Sequence, residues 1–372
     1  MNATYKVLLP AHGGQLRQIA ARYGLSAEQL LDFSANINPM GPPPSVLMAL
    51  HRALADHASL VTYPDIELTE LRWLLANKTQ AAPENICVAN GFVPLLDAAL
   101  RSLTLKRCLL PIPCFNEYRR TLENANVNVV PHLLLQTNSF RYQTDSIVQA
   151  LLDHSCDAIL LANPQNPSGA LLEAEAMHQL VEMAAQHNIT VLLDEAFIDY
   201  SPAQSLTQTS GERSNLVVFR SVTKFFAIPG LRVAYAVSNA LMAESLRHFL
   251  APWPVSALAS IGVCAALRDD DVYSDESRTI NHRRRAWLEA ELARLNIFTY
   301  PSSANFLLLR FPAEVDVRSL WERMIVEEQI VLRSCENFEG LAPEHLRIAV
   351  RSEPDNTRLI DGLKRILTRS SR

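Results

Sequence analysis

Two hydrophobic periods alternate along the chain: short runs of leucine and β-branched residues, and longer stretches with apolar side chains at every third or fourth position. That is the pattern of strands alternating with helices. The clearest unit spans Cys156 to Asp194. "DAILLA" predicts a buried strand and "NPQNPSG" a turn-rich loop. "LLEAEAMHQLVEMAAQHN" places Leu172, Met177, Leu180, Val181 and Ala184 at helical spacing, and "ITVLLDEAF" predicts the next strand. Together they form a βαβ unit, whose crossover is right-handed in nearly all folds. A third strand, "NLVVF" from Asn215 to Phe219, follows.

Upstream, "SVLMALHRALADH" and "LTELRWLLANK" predict helices, and "ICVANGFVPLLDAALRSL" predicts a strand, a glycine turn and a helix with Pro94 in its first turn. Downstream, "HRRRAWLEAELARL", "ANFLLLRF", "VRSLWERMIVEEQIVLR" and "HLRIAV" alternate helix and strand again. The expected fold is α/β with a mostly parallel central sheet, and the proline-containing "APWPVSALA" marks the start of a smaller C-terminal α+β domain.

Composition narrows the class. The 372 residues are 48% hydrophobic and 20% charged, enough to bury at least one large core. A net charge of −5 with no block of like charge gives no basis for binding nucleic acid or an anionic membrane, so small molecules or a second copy of the chain are the expected partners. The apolar run around Val7 to Pro10 is too short for a signal-peptide core, and no stretch has the length of a membrane span. Six cysteines without a CxxC pair or metal spacing suit reduced thiols and a cytoplasmic enzyme with no metal. Cys114 has no activating base near it in sequence and reads as a bystander.

Candidate chemistry centres on "RSVTKFFAIPGLR", which sets Lys224 in apolar company. A lysine that condenses with an aldehyde must be available as the neutral amine, and burial or a neighbouring cation such as Arg232 favours that form. Ser221 and Thr223 offer hydroxyl donors, and Arg232 a guanidinium, to one phosphate. The "NGFVP" turn offers a second cradle, where Gly91 admits close backbone approach and the next helix presents its N-terminus. An anionic ligand bearing an aldehyde suits both, which describes pyridoxal 5′-phosphate. Asn166, Asp194 and Lys224 follow the carboxyl ends of three strands, where open α/β sheets bind ligands. Asp194 suits the cofactor's pyridine nitrogen or a helix N-cap, and Asn166 suits its phenolic oxygen or a tight turn.

The set "NPQNPSG", "DEAFIDY", "SVTK" and "PGLR" resembles the fold-type I pyridoxal-phosphate enzymes of the aspartate aminotransferase superfamily, over essentially the whole chain. More narrowly, "AHGGQLRQIAARYG", "LLDFSANINPMGPP", "YPD", "VLRSCENFEGL" and "LRIAVRS" resemble the L-threonine O-3-phosphate decarboxylases of cobalamin biosynthesis, with histidinol-phosphate aminotransferases as near relatives. The resemblance implies an N-terminal arm over residues 1–45 that serves the small domain and the active site, a large cofactor-binding domain over 46–252 and a small domain over 253–372. It implies that Lys224 carries the cofactor, Asp194 meets the pyridine nitrogen and Asn166 the phenolic oxygen. Ser221, Thr223, Arg232 and the turn at Gly91 and Phe92 would hold the phosphate, and Phe115 would cover the ring. Tyr63 would reach the phosphate of a second subunit in a homodimer with shared active sites. His12, Arg333, Arg347 and Asn166 would bind a phosphorylated amino acid, whose carboxylate and phosphate suit two guanidinium groups and an imidazole. Arg351 reads as a surface ion pair.

Two departures stand out. Phe197 lies where the aminotransferases of this group carry tyrosine, which favours the decarboxylases. Phe92 and Val93 lie where the family carries polar residues after the glycine, removing a side-chain phosphate donor. The expected activity is decarboxylation of L-threonine O-3-phosphate. The alternatives are an aminotransferase acting on histidinol phosphate or a similar substrate, and a non-catalytic binding protein of the same fold.

Overall fold

The computed structural model describes residues 12–370. Its centre is a seven-stranded sheet built from β1 (Ile86–Ala89), β2 (Arg107–Ile112), β3 (Asn128–Leu133), β4 (Ala158–Ala162), β5 (Thr190–Asp194), β6 (Leu216–Ser221) and β7 (Ala234–Val237) in the spatial order β1-β7-β6-β5-β4-β2-β3. Neighbours pair in parallel except at β7, which runs antiparallel to both β1 and β6. Strands β4 to β6 are almost wholly buried, as their unbroken apolar sequences predict, because helices cover both faces. The helix Ala174–Gln186 turns Met177, Leu180, Val181 and Ala184 onto one face. On the other face Leu95, Leu96 and Ala99 of the helix Phe92–Leu103 pack with Leu110, Leu160 and Phe219.

A second, four-stranded antiparallel sheet comprises β8 (Phe298–Thr299), β9 (Phe306–Arg310), β10 (Arg333–Ser334) and β11 (His345–Ala349) in the order β10-β11-β9-β8. Its core contains Leu288, Leu307, Trp321, Ile348 and Leu363 together with Ile19, Ala20, Leu30 and Phe33 from the N-terminal segment. Leu31–Asp32 pairs in parallel with Ile330–Val331, so the arm is stitched into the smaller unit by backbone as well as side chains.

Several elements are less evident in the sequence. The helix Ala257–Arg268 occupies the stretch read as an interdomain boundary, and it packs Ala259, Val263 and Cys264 with Leu71, Leu75, Val233 and Tyr235 of the larger unit. Short strands such as Ile330–Val331 carry too few residues to show a period.

One contact fixes how the two units meet beside the cavity described below. Gly169, at φ +80°, ends the "NPQNPSG" loop, and its carbonyl accepts from Ser303 N–H at 2.9 Å. A Cβ at Gly169 would lie 2.1 Å from Ser302 Oγ and 3.1 Å from Ser302 Cα. Gly169→Ala combines left-handed strain with this collision and is expected to lower stability by about 2 kcal/mol or more, read as a lower denaturant midpoint. A midpoint equal to the parent's would show that the two segments separate at no cost.

Candidate active site

The carboxyl ends of β4, β5 and β6 open into a cavity of about 590 Å³ between the two units. Twelve of the thirteen expected site residues line it: His12, Gly91, Phe92, Phe115, Asn166, Asp194, Ser221, Thr223, Lys224, Arg232, Arg333 and Arg347. Tyr63 does not. It is 78% exposed and stacks on Trp253 with ring centroids 4.6 Å apart.

Lys224 sits in the turn that follows β6, with Nζ donating to Ser221 Oγ at 3.3 Å and lying 5.7 Å from the Phe197 ring centroid. Desolvation lowers its pKa, the carboxylate of Asp194 opposes that shift, and Arg232 reinforces it. Asp194, at the end of β5, accepts from Tyr118 O–H at 2.5 Å on Oδ2 and from Ala196 N–H at 2.9 Å on Oδ1. Burial raises its pKa, while these two donors and Lys224 pull it back. The Ala196 contact is an Asx-type turn bond at the strand end rather than a helix N-cap, because the next helical turn, Ile198–Tyr200, has Phe197 at its N-cap position.

Next to Lys224, Ser221 Oγ and Thr223 Oγ1 lie 2.8 Å apart, and Arg232 lines the same cavity. Gly91 has φ +97°, and a Cβ there would come within 2.9 Å of an Arg232 terminal nitrogen. Only glycine allows the guanidinium to lie this close to the turn. Among the described residues no side chain caps the helix Phe92–Leu103 after Gly91, so its first N–H groups can serve an anion. Phe92 packs on Tyr118 and Phe219 at 5.5 and 5.3 Å, so its side chain serves the wall and only its backbone faces the cradle's task. Val93, 37% exposed, also lines the cavity. Phe115 meets Tyr118 edge-on, with centroids 5.5 Å apart. A buried carboxylate, a lysine poised toward its neutral form and a two-sided phosphate cradle in one cavity fit pyridoxal 5′-phosphate.

The smaller unit supplies cations. Arg333 on β10 and Arg347 on β11 are direct cross-strand partners, each 6% exposed. Like charges opposite one another in a sheet destabilise it, so the pair implies an anion between or beside them. Arg347 donates to Asn166 Oδ1 at 2.6 Å and to Ser34 O at 3.2 Å, while its Nε–H has no partner among the described residues. Burial and Arg333 push its pKa down to about 9. By engaging the oxygen of Asn166, Arg347 leaves the Asn166 amide N–H groups free to donate elsewhere. Arg333 donates to Ser334 O at 2.7 Å and Asn337 Oδ1 at 2.8 Å. His12 Nε2 lies 3.1 Å from Glu117, with its ring 5.9 Å from that of Phe115.

Arg351 pairs with Asp355 at 3.1 Å, outside the cavity lining, as an ion pair. Burial pushes the Cys114 thiol up to about 12, which keeps it protonated and unreactive. Three residues went unread in the sequence. Asn36, in the quoted "DFSANIN", lines the cavity with a buried Oδ1 that has no partner among the described residues. Arg220 lines it too, with an ion pair to Asp199 at 2.9 Å. Tyr118 follows Phe115 by three positions, and that helical spacing was the available signal.

Residues 28–363 match the family Aminotransferase class I and II. The threonine-phosphate decarboxylase of Salmonella typhimurium is 35% identical over 96% of this chain and 97% of its own length. Histidinol-phosphate aminotransferase 1 of Psychrobacter arcticus is 29% identical over 96% of this chain and 92% of its own. The solved structure of histidinol-phosphate aminotransferase from Sinorhizobium meliloti, in complex with pyridoxal-5′-phosphate, shares the fold with a TM-score of 0.83 at 20% identity, covering 98% of this chain and 99% of that one. The chain therefore belongs to the aminotransferase class I and II family, and it is an enzyme whose cofactor is pyridoxal 5′-phosphate.

Proposed function

We propose that the chain decarboxylates a phosphorylated amino acid, converting L-threonine O-3-phosphate to (R)-1-amino-2-propanol O-2-phosphate and carbon dioxide. The observation that carries this reading is the buried Arg333–Arg347 cross-strand pair in one cavity with His12. It suits a substrate with two anionic groups, whereas histidinol phosphate has no carboxylate. The relative at 35% identity points the same way.

In this reading Lys224 carries the cofactor, Asp194 faces the pyridine nitrogen, and the hydroxyls of Ser221 and Thr223, the Arg232 guanidinium and the backbone at Gly91 and Phe92 hold the phosphate. When bound, pyridoxal phosphate supplies a sink for the electron pair left as the bond from Cα to the carboxylate breaks. Asn166 donates to the phenolic oxygen and, through Arg347, links cofactor and substrate sites. Arg333, Arg347 and His12 orient the substrate's anionic groups, and Phe115 and Phe197 keep water from the two faces of the cavity. Lys224 Nζ, once free, delivers the proton that replaces the carboxylate at Cα. A cytoplasmic homodimer completes the reading. Exposed Leu60, Val61, Tyr63 and Ile66 support a face covered by a second subunit, across which Tyr63 would reach.

Incubation with L-threonine O-3-phosphate, measuring carbon dioxide and 2-oxoacid-dependent amino transfer separately, is expected to give carbon dioxide. Amino transfer without it would establish the aminotransferase alternative. Lys224→Ala is expected to slow turnover by about 10⁴-fold or more while the protein stays folded, and turnover close to the parent's would place the chemistry elsewhere. Arg347→Gln should raise KM for the phosphorylated substrate by about 30-fold or more, since it removes a buried charge partner. An unchanged KM would take Arg347 out of the substrate site.

A further inference from the structure

We propose that Tyr118 is a positioning residue whose hydroxyl, donated to Asp194, fixes that buried carboxylate and keeps it charged. This rests on the reading of Asp194 as the partner of the pyridine nitrogen. Tyr118 lies on the helix Asn116–Asn124 and is 1% exposed, and its O–H reaches Asp194 Oδ2 at 2.5 Å. That is a short, charge-assisted bond. With Ala196 N–H on Oδ1, each carboxylate oxygen has one donor, which sets the plane of the group while leaving lone pairs for a ligand.

The need for such a donor follows from burial. A carboxylate withdrawn from water tends to take up a proton, and a protonated Asp194 would no longer hold a pyridine nitrogen in its charged form. The titratable groups that face Asp194 are Tyr118 and Lys224, with Tyr142 and Cys114 alongside Tyr118. Burial keeps Tyr142 and Cys114 neutral, and the Tyr142 hydroxyl is already donated to Ala162 O at 2.7 Å. Lys224 cannot be a permanent counter-ion if it is to act as a neutral amine. Among the side chains facing it, Tyr118 stabilises the carboxylate without adding a charge, as the Ala196 N–H does from the backbone.

Its ring does a second job. It stands edge-on to Phe115, at 88°, and tilted against Phe92, both with centroids 5.5 Å away. The same side chain thus holds the acceptor for the nitrogen in register with the phenyl group expected to cover the ring. Tyr118→Phe keeps these edges and deletes only the hydroxyl.

The test measures the dissociation constant of pyridoxal phosphate and kcat across pH for the parent, Tyr118→Phe, Asp194→Asn and the double variant, with thermal unfolding as the check on folding. A donor to a carboxylate lowers its pKa, so deleting it raises the pKa. The pH below which cofactor affinity falls should move up by about one to two units in Tyr118→Phe, with the acid limb of kcat moving the same way and KM little changed. In the Asp194→Asn background the same change should have no effect on the pH dependence. Superimposable affinity profiles with only a lower Tm, or an equal effect in the Asp194→Asn background, would reduce Tyr118 to packing and overturn the proposal. An Asp194→Asn protein with the parent's affinity and kcat would instead overturn the role of Asp194 itself. One measurement needs no change at Tyr118: its hydroxyl proton, followed by NMR in the parent protein, should move upfield in Asp194→Asn, and an unmoved resonance would contradict the bond.

Discussion

Desolvation weakens the charged form of Lys224, and Arg232 weakens it further, while the carboxylate of Asp194 restores part of it. A cavity that must keep an amine close to neutrality and a carboxylate ionised, both away from water, has to supply each with a partner that does not cancel the other. The layout follows from that requirement. Asp194 draws on the uncharged donors Tyr118 and Ala196 N–H, and Lys224 rests on the Ser221 hydroxyl. Arg232 is held against the Gly91 turn, where a phosphate would neutralise it.

The sheet makes this arrangement possible because parallel strands deliver the three segments to one edge. The loop after β4 brings Asn166, β5 ends in Asp194, and the turn after β6 carries Lys224. The smaller unit closes the cavity with the Arg333–Arg347 pair, and the Arg347 bond to Asn166 joins its charge to the larger sheet. Gly169 against Ser302 secures the same loop from behind. The same short loop thus meets the smaller unit twice, through Arg347 at Asn166 and through Ser302 at Gly169.

Much of this was legible in the sequence because the informative residues lie on strongly patterned elements. The unbroken apolar runs of β4, β5 and β6 gave the layer order, and their carboxyl ends gave Asn166, Asp194 and Lys224. The glycine at the start of the helix Phe92–Leu103 marked the turn proposed to hold the phosphate. The role of His12 came only from resemblance, since a histidine in an arm has no period to report it. Tyr118 was read as neither core nor site because its bond to Asp194 spans 76 positions. The division at residue 252 was read from the prolines of "APWPVSALA", whereas the packing of Val263 and Cys264, in the helix Ala257–Arg268 that follows, rests on long-range contacts that no local pattern reports.

The central claim is that Lys224 bonds to the cofactor aldehyde. Reduction of the loaded protein with borohydride, followed by proteolysis and mass spectrometry, tests it most directly. The predicted result is a phosphopyridoxyl group on the lysine of the peptide containing "SVTKFF" and on no other lysine. A label on a different lysine, or none after reduction of protein shown to hold the cofactor, would contradict the account.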